Sequence, residues 1–121
     1  MDLQHYQHWI SNFYKKRGWY ALNPFIRVGF LAEETGEVAR AVRALEIGRD
    51  RPDEEEKNVE HLVQDLTEEL GDVLDNVFIL ADKYDIHFED ILTSHKKKLE
   101  ERFSEVNLMK EGSSNGKQTN N

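Results

Sequence analysis

The chain reads as an all-α domain, a four-helix bundle-like fold, on three observations. Apolar residues recur at helical spacing, as in Tyr6, Trp9, Ile10 and Phe13 near the start of the chain. The two prolines, Pro24 and Pro52, and the glycines Gly18, Gly48, Gly112 and Gly116 fall where helices would begin or stop. No run of alternating β-branched residues flanks a tight Asn-Gly or Asp-Gly turn, so no hairpin is indicated.

The first helix is expected over about Leu3 to Lys16, followed by a loop from Arg17 to Asn23. Pro24 suits the first turn of a second helix with Asn23 as its cap, running to about Ile47 and stopped by Gly48. Residues 48–60 form a charged connection, in which Asp53 to Glu56 read as solvated acids. A third helix is expected over about His61 to Tyr84, carrying the apolar stripe Leu66, Leu70, Val73, Val77 and Leu80. A fourth should cover about Phe88 to Leu108, capped near Asp85. Residues 1–110 are read as one domain, and 111–121 as a disordered polar tail without an apolar side chain to bury.

Composition narrows the function classes. One hundred and twenty-one residues suffice for a single core. The formal charge of −8 argues against a nucleic-acid backbone as partner, because that contact needs clustered positive charge. It does not exclude a nucleotide, since a bound cation reverses the local field. With no cysteine, disulfides and thiolate metal sites are excluded. The longest apolar runs, such as Val77-Phe78-Ile79-Leu80-Ala81, are far too short to span a membrane, and the N-terminus lacks a secretory pattern. A cytoplasmic location is the expectation.

Two acidic segments carry the chemistry: Glu33-Glu34-Thr35-Gly36-Glu37 on the second helix and Glu69-Leu70-Gly71-Asp72 on the third. Residues three apart share a helix face, so Glu34 and Glu37 point one way, as do Glu69 and Asp72. Either pair alone is unremarkable in a chain with 24 acids among 121 residues, where such spacing arises by chance. Their placement is more telling. Phe30, Glu34, Glu37, Ala41 and Ala44 form one helical stripe flanked by Leu31, Val38, Val42 and Leu45, while Asp65, Glu69, Asp72 and Asn76 line up beside the apolar stripe of the third helix. These carboxylates are expected to face a packed neighbour rather than water. Gly36 and Gly71, each costing about 1 kcal/mol relative to alanine inside a helix, suggest close approach to the backbone. Two acid pairs on facing helices would need cations or protons for neutralisation, and an all-oxygen set suits Mg²⁺ or Mn²⁺. None of the histidines stands three residues after a glutamate, which sets aside a di-iron bundle, and there is no Walker-type phosphate loop.

At these residues the sequence resembles the MazG-like family of all-α nucleoside triphosphate pyrophosphohydrolases, whose pattern is Glu-Glu-x-x-Glu on one helix and Glu-x-x-Asp on the next. Arg17-Gly18-Trp19 and Asn23-Pro24 upstream, and Lys98-Leu99-Glu100-Glu101-Arg102-Phe103 downstream, extend the likeness. The resemblance implies Mg²⁺ (or Mn²⁺) ligands at Glu34, Glu37, Glu69 and Asp72. It also implies attack of water on the α-phosphorus of a nucleoside triphosphate, giving monophosphate and pyrophosphate. Relatives of this kind form dimers or dimers of dimers, so a homo-oligomer, dimer or tetramer, is expected to complete the bundle. The spread of Leu62, Leu66, Val73, Leu74, Val77 and Phe78 around the third helix agrees, being too wide for one seam.

Further residues carry alternatives. Glu33 is one position off the ligand face, a base acting through water or a surface acid. Lys98 and Arg102, four apart, suit phosphate oxygens or intrahelical pairs with Glu101 and Glu105. Trp19 suits stacking on a base or packing on the core, and Asn76 suits contact with substrate or with metal-bound water. His5 and His8 are assigned no role. The competing class is a non-catalytic helical interaction or nucleotide-sensing module.

Overall fold

The structure, a computed structural model, describes residues 1–48 and 57–104, in four helices: α1 (Leu3–Lys16), α2 (Pro24–Ile47), α3 (Val59–Lys83) and α4 (Phe88–Arg102). Local chemistry sets most of the ends. Asp2 accepts from the His5 amide at the start of α1, and Asn23 accepts from the Phe25 amide at 2.7 Å, with Pro24 in the first turn of α2. Gly48 ends α2 with φ of 102°, backbone that a side chain would strain. The third helix starts at Val59, ahead of the expected His61, because the Asn58 side chain accepts from the His61 amide at 2.8 Å.

The expected cap of α4 near Asp85 is not what the chain builds. Asp85 takes the left-handed conformation (φ 58°) and closes α3, where the Ile86 amide returns to the Ala81 carbonyl at 2.9 Å. The cap position of α4 falls on His87, whose side chain makes no capping bond. A residue from the other end of the chain substitutes for it. Buried Gln7 of α1 accepts from the Phe88 amide at 2.9 Å and donates to the Ile86 carbonyl at 3.0 Å. The fourth helix ends at Arg102, short of the expected Leu108, because Phe103 leaves the helical conformation as its C-terminal cap; residues 105–108, the tail and most of the charged connection lie outside the described residues.

The core is small. Ile10, Phe78 and Ile79 are buried together, with Tyr6, Phe13, Tyr14, Tyr20 and Phe88 packed around them, and Phe78 stacks on Phe88 with ring centres 4.2 Å apart. Asp82 ties α1 to α3 by accepting from the Ser11 hydroxyl at 2.9 Å and the Tyr20 hydroxyl at 2.8 Å. The buried residues of α3 are Asn76, Phe78, Ile79 and Ala81, so the core-facing side lies beside the expected stripe. Within that stripe Leu70 is 47% exposed, and the others are only half-buried. On α1 the expected face is right, although Trp9 stays half-exposed and Gln7 and Ser11 share the buried side.

Because Gln7 satisfies two backbone groups that no other described residue reaches, Gln7→Ala is expected to lower stability by about 2 kcal/mol. Urea unfolding would measure that loss, and amide exchange at Phe88 should accelerate in the variant. Unchanged exchange at Phe88 would show that water caps α4 equally well.

Candidate metal centre and adjoining cleft

Helices α2 and α3 pack along each other in opposite directions, since Arg27 meets Asn76 while Glu34, further along α2, meets residues earlier in α3. This pairing sets Glu34 opposite Glu69 and Asp72, with one carboxylate oxygen from each lying within 4.8 Å of the others. Among the described residues, no basic side chain pairs with any of the three. Burial raises the Glu34 carboxyl above its ordinary range, and Asp72, Glu69 and Glu37 push it further. Glu69 is raised in the same way, by burial first and then by Asp72 and Glu37.

Glu37 is thus an electrical neighbour of the trio but not a member of it, and its side chain is exposed. Asp72 is exposed as well, while Glu34 and Glu69 are half-buried. The expectation that all four carboxylates face a packed neighbour therefore holds only for the latter two. Nor does anything approach Gly36 or Gly71 closely within this chain: a Cβ at either would meet nothing within 4 Å. Glu33 is exposed on the next position around α2.

A cleft of about 220 Å³ opens beside the cluster and shares Glu34 and Asp72 with it. Tyr14, Trp19, Leu22 and Phe30 supply its apolar lining, and Arg27 and Asn76 its polar lining. Trp19 and Asn76 both line this cleft. Lys98 and Arg102 are exposed on α4 and do not line the cleft. Beyond Asp72 the acidic row continues into Asp75, whose carboxyl is raised by burial and by Asp72 although the Tyr6 hydroxyl donates to it at 2.6 Å.

Arg27 escaped the sequence reading. It is 4% exposed, donating from Nη1 to Asn76 Oδ1 at 2.9 Å and from Nη2 to the Trp19 carbonyl at 2.8 Å. Asn76 in turn donates to the Asp72 carbonyl at 2.9 Å, so the arginine is linked to the cluster through one side chain. The signal was available in the spacing, because Arg27 stands seven residues before Glu34 and so shares its helix face. An arginine is usually solvated, however, and nothing in the sequence marked this one as buried.

The family profile described as the MazG nucleotide pyrophosphohydrolase domain matches residues 27–107, a span that contains both acidic segments. The chain belongs to the MazG family. It is 55% identical over 103 residues to the uncharacterized protein YvdC of Bacillus subtilis (strain 168), covering 85% of this chain and 97% of that one. No solved structure matches the chain. The MazG match begins at Arg27, the residue that joins α2 to Asn76, and it takes in all of α3 and α4.

Raised folded-state carboxyls mean that the cluster favours folding only while protonated, a contribution lost as pH rises through the raised values. In metal-free buffer at neutral pH, Glu34→Gln should therefore melt a few degrees higher than the unsubstituted protein, roughly 2–5 °C. The difference should shrink as pH falls through the carboxylate range, where Glu34 itself becomes neutral, and millimolar Mg²⁺ should reverse its sign. Parallel melting curves at every pH, with or without Mg²⁺, would show that the three carboxylates do not act as a group.

Proposed function

We propose that this protein hydrolyses nucleoside triphosphates to the monophosphate and pyrophosphate, with Glu34, Glu69 and Asp72 holding a divalent cation and Glu37 completing the set. The observation that carries this reading is the convergence of three unpaired carboxylates beside a cleft lined by aromatic rings. An all-oxygen donor set with raised carboxyls, and among the described residues no lysine or arginine paired with it, fits Mg²⁺ or Mn²⁺. When bound, such a cation neutralises phosphate oxygens and lowers the pKa of a coordinated water.

The chain's own residues have separable tasks. Glu34 and Asp72 belong to both cluster and cleft, so a ligand seated in the cleft has its phosphates directed toward the carboxylates. Trp19, half-exposed at the cleft, offers a ring for stacking, and Tyr14 and Phe30 exclude water from the interior. Asn76 holds Arg27 and the Asp72 backbone, which keeps the two ends of the site in register. Glu33 acts as a surface acid in this reading. Lys98 and Arg102 lie outside the lining, so their phosphate contact belongs to an arrangement in which a second copy brings its α4 to the cleft.

Residues 1–110 serve as the working unit in this reading. No described helix is long and apolar enough to cross a membrane, and a cytoplasmic location suits a nucleotide substrate. Homo-oligomerisation follows from the apolar side chains left outside the small core. Val63, Leu70 and Leu74 of α3 lie on one face, each nearly half-exposed, and Val42 of α2 is exposed too. Light scattering at micromolar concentration should report a dimer or tetramer, and Leu70→Glu should shift it toward monomer. A monomer for the unsubstituted protein would remove this part of the proposal.

The decisive chemical test is the bond that breaks. In ¹⁸O-labelled water, attack at the α-phosphorus places the label in the monophosphate and leaves the pyrophosphate unlabelled. Orthophosphate as first product, or label in the pyrophosphate, would overturn the reaction while leaving the cation site intact. Glu34→Gln and Asp72→Asn should each slow turnover by at least about a hundredfold, because losing a ligand forfeits several kcal/mol of transition-state stabilisation.

A further inference from the structure

Arg27 is a buried cation without an anion. Among the described residues it meets only neutral acceptors, the Asn76 side chain and the Trp19 carbonyl, and its Nε is the one buried side-chain nitrogen or oxygen with no partner. Burying a guanidinium without its full set of acceptors is unfavourable, so the arrangement is explained better by a ligand than by the fold alone. The same side chain lines the cleft that Glu34 and Asp72 also reach.

The geometry narrows the ligand. The ring centres of Tyr14 and Phe30 stand 5.1 and 5.5 Å from the central carbon of the guanidinium, whose N–H groups all point along its planar edge. That edge carries donors only. Asn76 has committed its oxygen to Arg27 and one amide hydrogen to Asp72, so what it adds is mainly another donor. A bare phosphate at this edge would be desolvated by the aromatic lining and drawn away from the cation proposed at Glu34 and Asp72. A flat, uncharged ring presenting carbonyl oxygen at its edge satisfies the donors without either penalty.

We propose that Arg27 is a specificity-determining residue, its guanidinium edge hydrogen-bonding an exocyclic carbonyl oxygen of the nucleobase. A purine with oxygen at position 6 presents acceptors to such an edge, whereas adenine presents an amino donor there. The assignment rests on the nucleotide reading above, but on binding and not on cleavage.

Inosine and adenosine triphosphates share a ring frame and differ at that position, which makes them the discriminating pair. Calorimetry with their α,β-methylene analogues and magnesium reads affinity without hydrolysis of the scissile bridge. The inosine analogue should bind the unsubstituted protein at least about tenfold more tightly, since a site built to donate to a carbonyl is left unpaired by the analogue lacking it. Arg27→Met should erase that preference, bringing the two analogues within about twofold of each other whatever loss of affinity they share. Arg27→Lys, which keeps the charge and loses the planar edge, covers the case in which the methionine variant fails to fold, and it too should lose the preference. Equal affinities in the unsubstituted protein overturn the assignment, and so does a preference that survives in either folded variant. A protein that shows the preference yet releases no pyrophosphate from the natural triphosphates would sink the proposed hydrolysis and leave Arg27 in its role.

Discussion

The hydrogen bond from Arg27 to Asn76 is the constraint on which the rest of the site depends. Helices α2 and α3 bury few apolar residues against each other, and weakly buried seams leave the register between two helices open to sliding. Among the described residues this is the one side-chain hydrogen bond that joins the two helices, and both partners are buried. A buried polar pair is intolerant of displacement, because any shift strands a desolvated charge. With Arg27 held opposite Asn76, the helical repeat brings Glu34, two turns further along α2, opposite Asp72 and Glu69. The carboxylate cluster is thus a geometric consequence of a bond made some distance from it.

The third helix holds α1 and the loop that follows it through acids. Asp72 contributes to the cluster, Asp75 receives the Tyr6 hydroxyl, and Asp82 receives Ser11 and Tyr20. Rotation by about 100° per residue explains the division of labour. Asp75 and Asp82, seven apart, face α1, while Asp72 and Asn76 turn toward α2. Placement of α4 depends on that union at one remove, since Gln7 of α1 and Phe78 of α3 together hold its first turn.

The sequence disclosed the elements that depend on neighbouring residues and concealed those that depend on distant ones. Both ends of α1 and α2 were legible, because Asn23, Pro24 and Gly48 act within one turn of where they stand. The start of α4 was not, because its cap comes from Gln7, 81 positions away, while the nearby Asp85 was already engaged in closing α3. At the site, spacing alone brought Glu34, Glu69 and Asp72 to one face of each helix. It could not say that Glu37 would stay at the margin, since that depends on the crossing of the two helices. Gly36 and Gly71 suggest close approach to the backbone, yet among the described residues nothing approaches either. Arg27 was invisible for the opposite reason: its role comes entirely from burial, which its residue type argues against.

The same electrostatics that make the cluster a candidate metal centre make it a weak point of the fold. Glu34 and Glu69 are held above their ordinary range chiefly by burial, so ionising them at neutral pH opposes folding. A core of a few buried apolar side chains has little reserve against such a term. Any cation that binds only the assembled carboxylates stabilises the folded chain by mass action, and the gain grows with its concentration. Cation affinity and folding are then two readings of one free energy, both routed through the register of α2 on α3. A substitution at Asn76 that lets the helices slide would strand the Arg27 charge and disperse the carboxylates together. Cation affinity would then fall further than the loss of stability accounts for, whereas loss of a packing residue such as Ile79 would lower affinity only through stability.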